Sequence, residues 1–186
     1  TSCTHFPFYT RGVLEIPDNW AMAGFYNVPL DELMETMNYS LQNGYTVNWD
    51  GDTSEEGFLF SSGIAVNPLS LFNERASRQG RPRTERLQQP QPWSLNPAPE
   101  VNVTQDIRQA GYETFITTDD HGMHITGIAK DQNGTVYYKT KNSWGPDRNP
   151  FGGYLNMSES YVRAKTLFIM VHKNGIPPAI RTKLGL

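Results

Sequence analysis

Residues 121–145, "HGMHITGIAKDQNGTVYYKTKNSWG", contain the pattern that decides the fold. Two runs rich in β-branched and aromatic residues, "GMHITGIAK" and "TVYYKTK", flank the tetrapeptide "DQNG". Such runs favour strands, and Asn-Gly between them tolerates the positive φ angles of a type I′ turn. The stretch therefore predicts an antiparallel hairpin, with His121 at its entrance and Asn142 just after it.

The flanking sequence supplies more strands and one strong helix. "GGYLNMS" and "KTLFIMVHK" predict two further strands, joined by a helical turn "SESYVRA" that begins at Ser158. Upstream, residues 28–44 predict an amphipathic helix and "YTVNWDGD" a short strand, while "NVTQDIRQAGY" predicts a short helix started by Thr104. The apolar stripe of the first helix consists of Leu30, Leu33, Met34, Met37 and Leu41. We expect an α+β fold in which an antiparallel sheet curls into a barrel, with the helix of residues 28–44 outside it.

Composition limits the function without deciding it. The 186 residues suit one domain or part of a larger one, and the net charge of −3 argues against whole-molecule attraction to nucleic acid or anionic membranes. No apolar run approaches the roughly 20 residues that cross a bilayer. A single cysteine excludes an intrachain disulfide framework and the usual cysteine-based zinc sites.

Residues 74–100 change character, being rich in Arg, Gln and Pro without any period. We interpret them as a long surface loop. Five arginines against two glutamates in residues 74–86 also leave open a patch for nucleic acid or a partner. The overall acidity and the lack of interleaved aromatic residues make a nucleic-acid module the weaker interpretation.

His121 and Asn142 are the candidate catalytic residues. A lone histidine is more often structural, but the hairpin brings Asn142 close to His121. The oxygen of an asparagine side chain can accept the proton on one imidazole nitrogen, which fixes the ring so that the other nitrogen faces a nucleophile. Trp144 follows two residues later and would cover this hydrogen bond.

The motifs "DHGMHITGIA", "KNSWG" and "GGYLNMS" resemble the His and Asn blocks of papain-like cysteine peptidases. With "GYTVNWDGDTSEEGF" upstream, the sequence resembles the bleomycin hydrolase and aminopeptidase C branch, especially its bacterial members. The resemblance covers most of the chain but only the second half of the family's catalytic domain. It implies a papain-like fold of which this chain supplies the β-barrel half, with the helical, nucleophile-bearing half absent from the chain.

The resemblance also implies roles for single residues. His121 would be the general base, oriented by Asn142 and shielded by Trp144. The backbone of Asp120 would help to hold the substrate main chain, and Gly122 would line the pocket beside it. His124 is expected on the opposite face of the strand from His121, so "HxxH" is a poor metal clamp, and we expect neither a metal nor another cofactor.

The nucleophile of the family is not recognisable in this chain. Cys3 lies in "TSCTHFPFY", which lacks the tryptophan, glutamine and helix that surround the family's cysteine, so we interpret Cys3 as a buried thiol. We expect the nucleophile to come from an upstream segment, and this chain alone to be inactive. The resemblance further implies that the tail, residues 173–186, lies in the cleft, where the carboxylate of Leu186 would meet the free amine of the substrate.

These observations predict the base-bearing part of a thiol peptidase, an aminopeptidase by resemblance, that acts on peptides. Neither nucleic acid nor membrane is an expected partner, and assembly into a homo-oligomer stays open. Relatives are mostly cytoplasmic, although exported bacterial forms also fit. The alternative is a papain-like domain that has lost catalysis and binds peptides or a protein partner.

Overall fold

A computed structural model describes residues 1–77 and 92–186. Nine strands are present in this part of the chain: β1 Arg11–Val13, β2 Gly24–Tyr26, β3 Val47–Gly51, β4 Phe58–Leu59, β5 Ile64–Ala65, β6 His121–Lys130, β7 Val136–Lys141, β8 Tyr154–Ser158 and β9 Thr166–Val171. Its α-helices are α1 Leu30–Gln42, α2 Leu69–Ser77, α3 Pro92–Leu95, α4 Gln105–Glu113, α5 Glu159–Lys165 and α6 Pro178–Leu184.

A seven-stranded sheet in the order β4-β5-β8-β7-β6-β3-β9 forms the centre of the molecule. Its pairs are antiparallel except for β5 and β8, which run parallel, and β1 pairs only with β2 in a separate ribbon. The predicted α+β class is confirmed. In the described residues the sheet does not close into a barrel by hydrogen bonds, because its outer strands β4 and β9 do not pair with each other.

Helix α1 covers the sheet through the apolar stripe expected from the sequence. Leu30, Leu33, Met34 and Met37 are buried there, and Leu41 is partly buried. They pack with residues of β3 and β6, among them Trp49 and Ile125, which are fully buried. The helix ends at Gln42, with Asn43 as its C-cap, and Gly44 follows with a positive φ of 80°. This packing buries one face of the sheet, and the candidate catalytic histidine, His121, lies at the start of its inner strand β6.

The predicted hairpin is present, but its turn type differs from the prediction. Gly134 donates its N–H to the carbonyl of Asp131 and has a φ of 84°, whereas Asn133 is not among the residues with positive φ. The Asp131 side chain accepts the N–H groups of Asn133 and Thr135. Because this carboxylate stabilises the loop, only the glycine adopts the left-handed conformation, and a type I′ turn is not formed.

The sequence missed the short elements and the C-terminal helix. Strands β1, β2, β4 and β5 have only two or three residues, too few to show a period. The tail forms helix α6, whose Ile180 belongs to the main core and whose preceding Gly175 accepts a hydrogen bond from Ser40 of α1. Among the described residues, none of the helices is long and apolar enough to span a membrane.

The predicted loop of residues 74–100 lies partly outside the described residues, which omit 78–91. Its described ends contain helical residues, since α2 extends to Ser77 and α3 begins at Pro92. Trp93 of α3 is buried against Val66 and Leu71 in a small second core. This end of the segment is therefore packed against the domain.

Candidate active site

His121 and Asn142 meet at one end of the central hairpin. Nε2 of His121 lies 2.8 Å from Oδ1 of Asn142. A carbonyl oxygen can only accept, so Nε2 carries the proton and Nδ1 is the basic nitrogen. Asn142 is buried and His121 is half-buried, so the bond lies at the boundary between the core and solvent. Such an arrangement would suit a general base and a group that orients it.

Trp144 packs against the imidazole of His121. The two rings lie 5.2 Å apart between centroids, at an angle of 40°. The indole also makes edge contacts with Phe60 at 5.0 Å and Phe58 at 6.1 Å, which fix its position from the other side. Because these aromatic rings exclude water from one side of the pair, they strengthen the His121–Asn142 hydrogen bond.

The loop after Trp144 holds Asn142 in place. The N–H of Asn142 donates to the carbonyl of Gly153, 3.0 Å away. Asn149 in turn accepts the N–H of Gly153 and donates to the carbonyls of Phe60 and Tyr154. Gly153 has a φ of 79°, and a Cβ there would lie 2.7 Å from the carbonyl oxygen of Gly145, so only glycine fits. The second glycine of "GGY" therefore serves to position Asn142.

The segment before His121 is fixed by Thr53 and Asp52. Oδ1 of Asp120 accepts both the N–H and the hydroxyl of Thr53, at 2.8 and 2.9 Å. Partial burial alone would raise the pKa of Asp120, but the hydrogen bonds from Thr53, together with those involving Asp52 and Ser54, outweigh burial and lower it. Oδ2 of Asp52 accepts the N–H of Thr118 at 3.2 Å. The backbone beside the base is therefore tied to the loop that follows β3.

A buried ion network supports this segment from behind. Nζ of Lys165 lies 2.7 Å from Glu55 and 3.6 Å from Asp52, and all three side chains are buried. The ammonium also donates to Ile116 and Thr117, which lead towards His121. Burial raises the pKa of Asp52 to about 6 despite the opposing effect of Lys165. The network thus fixes the chain segment that leads to His121, although burying three charged groups is itself unfavourable.

Three carboxylates gather next to His121. Asp18, Asp50 and Asp119 each place one oxygen within 4.8 Å of the others. Asp50 is buried, and its partner across the sheet is Gly122. Burial raises the pKa of Asp50 to about 9, and the nearby Asp119 adds to this effect. We call these three residues the acidic cluster.

Two other histidine and cysteine candidates lie apart from the pair. His124 is exposed, while Met123 and Ile125 on either side of it are buried, so it points to the opposite face as expected. Cys3 is buried, and its sulfur accepts the N–H of His5. The hydroxyl of Thr1 donates to the carbonyl of Leu167 in β9, and Cys3 lines a cavity together with Thr117 and Asp119, whereas none of the hydrogen bonds found among the described residues joins its sulfur to His121.

Leu186 is not joined to the His121–Asn142 pair by any hydrogen bond or ion pair that the structure gives for the described residues. Its N–H donates to Arg181 within the last turn of α6. Lys183 of the same helix pairs with Glu32 of α1 and contacts the hydroxyl of Tyr9. These contacts hold the tail along α1.

Sequence reasoning missed the acidic cluster, the Lys165 network and Asn149. The members of the cluster and of the network come from segments far apart in sequence, so no local spacing indicates them. Asn149 offered a weak signal, since it lies between Pro146 and Gly152 in a region dense in turn residues. The role of Asn149 can be recognised only in the folded structure, where its side chain donates to the carbonyl of Phe60.

The chain resembles the crystal structure of PepW from Lactobacillus rhamnosis HN001, with a TM-score of 0.64, 15% identity and coverage of 98% of this chain. The chain spans only 36% of the PepW chain, and at this identity the likeness shows the fold alone. A second structure, the bromelain protease from Ananas comosus in complex with the E64 inhibitor, aligns at 14% identity with a TM-score of 0.38. The alignment covers 75% of this chain and 46% of the bromelain chain.

A search among curated protein sequences finds no match. The profile of the peptidase C1-like family matches residues 93–185, which is half of the chain. The matched residues include His121, Asn142 and Trp144, together with the loop that holds them. The papain-like resemblance of the sequence is thereby confirmed, and this chain belongs to the peptidase C1-like family.

Proposed function

We propose that this chain is the base-bearing part of a papain-like thiol peptidase that hydrolyses peptide bonds by Cys-His-Asn chemistry. The observation that carries the proposal is the 2.8 Å hydrogen bond between Nε2 of His121 and Oδ1 of Asn142, covered by Trp144. It leaves Nδ1 of His121 as the nitrogen able to accept a proton from a nucleophile.

The chemistry follows from that tautomer. Nδ1 takes the proton of a cysteine thiol, and the resulting imidazolium stays hydrogen-bonded to Asn142 through Nε2. The thiolate attacks the peptide carbonyl, and the imidazolium then gives its proton to the leaving amine, which leaves a thioester. His121 next removes a proton from water, which attacks the thioester, and the proton finally returns to the sulfur.

Two backbone positions beside the base suit the binding of the peptide main chain. Asp120 immediately precedes His121 and is anchored by Thr53, so its backbone groups are held rigidly. Gly122 follows His121 and presents no side chain, so a substrate can approach the strand closely. We assign main-chain binding to Asp120 and the wall of the adjoining pocket to Gly122.

The thiol comes from outside these 186 residues in this proposal. The chain has one cysteine, and Cys3 is buried, with its sulfur engaged by the N–H of His5. Trp144 is 46% exposed although it covers the catalytic pair, so an apolar surface is available where a second, nucleophile-bearing polypeptide would complete the site.

The decisive experiment compares three samples with aminoacyl and peptidyl fluorogenic substrates: the chain alone, the chain with the polypeptide encoded upstream of it, and the same pair with His121→Ala. We expect thiol-dependent hydrolysis only in the second sample. Thiol-dependent cleavage by the chain alone would overturn the assignment of the nucleophile to another segment, and Cys3→Ala would then identify its source.

We assign the complete enzyme as an aminopeptidase related to bleomycin hydrolase, on the strength of the sequence resemblance. In this assignment the carboxylate of Leu186 meets the ammonium of the substrate, which requires the tail to reach the cleft from its place along α1. Removing residues 183–186 should then convert amino-terminal trimming into internal cleavage. Mass spectrometry of peptide digests checks this, and an unchanged product pattern contradicts the role of Leu186.

A non-catalytic peptide-binding domain is the second candidate, and the observation that favours it is that the one cysteine of the chain is buried with its sulfur accepting the N–H of His5. The two functions differ in one readily obtained result. If the polypeptide encoded upstream carries no cysteine at the start of a helix, the domain binds rather than cleaves.

A further inference from the structure

We infer that Asp52 is a positioning residue for His121: its ionised carboxylate fastens the chain segment that leads to the base, and its protonation loosens that segment. Asp52 lies in the loop after β3, and no hydrogen bond or ion pair found among the described residues joins it to His121, so it acts through the backbone between them. The inference rests on the proposed function, because it makes hydrolysis depend on one ionisation besides those of the histidine and the thiol.

Every acceptor position of the Asp52 carboxylate is in use. The residue is only 1% exposed. Oδ1 accepts the N–H and the hydroxyl of Ser54, at 2.8 and 2.9 Å. Oδ2 accepts the N–H of Thr118 at 3.2 Å and lies 3.6 Å from Nζ of Lys165. Since an ionised carboxylate offers about four acceptor positions, these four groups occupy them all.

A proton on this carboxylate weakens its hold on Thr118, whichever oxygen takes the proton. A proton on Oδ2 would point at the N–H of Thr118 or at the ammonium of Lys165, so one of them would be displaced. A proton on Oδ1 could be accepted by the Ser54 hydroxyl, which can rotate, but Oδ2 would then be an uncharged carbonyl oxygen. Because hydrogen bonds to a charged acceptor are roughly twice as strong as those to a neutral one, the bond from Thr118 would weaken in that case too.

Asp52 is itself held rigidly, so the segment before the base is the part that moves when the bond from Thr118 is lost. The N–H of Asp52 donates to the carbonyl of Lys165 at 3.1 Å, and its carbonyl accepts the hydroxyl of Tyr161 at 2.6 Å. Thr118, by contrast, lies three positions before His121 in a stretch without helix or strand. A shift of its backbone therefore changes where the imidazole lies, and a displacement of about 1 Å is enough to slow catalysis.

Titratable neighbours from three segments face Asp52. Lys165 and the hydroxyl of Tyr161 come from α5, Glu55 from the same loop as Asp52, and Asp120 from the segment before β6. Burial raises the pKa of Asp52 to about 6, an effect that Lys165 opposes and the charge of Glu55 increases. Asp52 is therefore ionised at pH 7.5 and half protonated near pH 6, so the segment before the base is held firmly only above that range.

A titration of the chain itself tests the inference without requiring catalysis. The carboxyl ¹³C signal of Asp52 and the amide signal of Thr118 are followed from pH 4.5 to pH 8, in the unaltered chain and in His121→Ala, where the imidazole cannot contribute. We expect both signals to change together in both samples, with a midpoint near pH 6. A Thr118 signal that stays constant, or whose midpoint differs from that of Asp52, overturns the inference.

Two carboxamide variants separate positioning from a purely structural role. Asp52→Asn keeps the shape of the side chain but cannot ionise, so it should abolish the titration of the Thr118 signal. Glu55→Gln is the matched control, because it removes the other carboxylate beside Lys165 and leaves the bond from Thr118 intact. Since the charge of Glu55 raises the pKa of Asp52, this control should keep the titration and move its midpoint to lower pH. A Thr118 signal that still titrates in Asp52→Asn reports another group and overturns the inference.

A kinetic experiment on the chain combined with its nucleophile-bearing part measures the effect on hydrolysis. The acid limb of kcat/KM reports ionisations of the free enzyme, and it should include one near pH 6 that is missing in Asp52→Asn and retained in Glu55→Gln. At pH 7.5, Asp52→Asn should lower kcat about tenfold and change KM less than twofold, because a displaced base slows the chemistry more than it weakens binding. An acid limb that is identical in Asp52→Asn overturns the positioning role and leaves the peptidase function intact.

Failure of the proposed function would give a different result. If the combined polypeptides hydrolyse no peptide although Thr118 titrates with Asp52, the peptidase function is refuted and the pH-dependent link between these two residues stands. The titration with residue 52 unaltered decides the inference even where Asp52→Asn does not fold.

Discussion

Nε2 of His121 and Oδ1 of Asn142 lie 2.8 Å apart although 21 positions separate the two residues in the chain. The β6–β7 hairpin folds the chain back on itself and brings the two side chains together at its open end. This single bond selects the tautomer of the base, so the state of the imidazole is the most direct measure of whether the site is built for catalysis.

The first prediction concerns that tautomer. We expect ¹⁵N NMR of the folded chain to show the proton of neutral His121 on Nε2, because Oδ1 of Asn142 accepts it. Asn142→Ala should produce a mixture of tautomers, and in the complete enzyme it should lower kcat/KM by about a hundredfold or more, since general acid–base catalysis contributes roughly 10²–10⁴-fold. Asn133→Ala in the exposed turn serves as the control. A proton found on Nδ1 in the unaltered chain contradicts the assignment.

Trp144 is predicted to slow the exchange of the Nε2 proton with water. Trp144→Ala removes the ring that covers the His121–Asn142 bond, so the imidazole N–H signal should broaden and exchange faster. Trp144→Phe should have a smaller effect, because part of the cover remains. Trp20→Ala, which removes an indole that is 87% exposed, is the matched control. An exchange rate equal in all variants would show that Trp144 does not shield the bond.

Asp50 is predicted to make stability depend on pH. Its folded pKa is raised to about 9, so the folded chain keeps a proton that the unfolded chain releases near pH 4. The free energy of unfolding should therefore fall as pH rises from about 4 to 9, with a slope from this group of about 1.4 kcal/mol per pH unit.

Asn cannot titrate and imitates the protonated acid, so the stability of Asp50→Asn relative to the original chain should increase between pH 5 and pH 8. Urea unfolding at several pH values measures this difference, and Asp106→Asn controls for the loss of one charge. A stability difference that stays constant across this range refutes the raised pKa of Asp50.

Lys165 is predicted to be essential for stability. Lys165→Met leaves the buried carboxylates of Asp52 and Glu55 without their cation, which should cost about 3–5 kcal/mol. Adding Asp52→Asn and Glu55→Gln should recover part of the loss, because no unpaired charge remains. Denaturant unfolding measures each variant, with Lys173→Met on the exposed surface as control. A loss no larger than that of the control would show that the network is not buried as described.

Cys3 is predicted to be inert. Its sulfur is buried, so iodoacetamide should modify the folded chain slowly and the unfolded chain quickly, as intact mass spectrometry can show. Cys3→Ala should leave the kcat/KM of the complete enzyme unchanged and should lower stability by about 1 kcal/mol through the small cavity it creates. Loss of activity in this variant would assign Cys3 a part in the reaction.

The sequence predicted those elements whose pattern is long enough to show a period. Helix α1 and strands β6 and β7 lie close to their predicted positions because each buries a regular stripe or has a strong turn signal beside it. The hairpin turn differs because Asp131, which precedes it, captures two backbone N–H groups. The turn propensities of Asn133 and Gly134 take no account of the hydrogen bonds made by this carboxylate, so they predicted the wrong turn type.

The sequence predicted only those residues of the candidate site that lie close together along the chain. The His121–Asn142–Trp144 set lies within one hairpin and its following loop, so a linear pattern reveals it. The acidic cluster takes one residue from each of three distant segments, and the Lys165 network joins Asp52 and Glu55 of one loop to a lysine more than 100 positions later. Such groups become neighbours only through the order of strands in the sheet, which no spacing along the chain encodes.

The placement of the base and its orienter on a single hairpin has an evolutionary consequence. Because both side chains and the turn between them fall within residues 121–142, any genetic break or exchange outside this interval transfers the pair whole. The interval alone does not preserve the geometry, because Gly153 and Asn149, which hold Asn142, must remain on the same polypeptide.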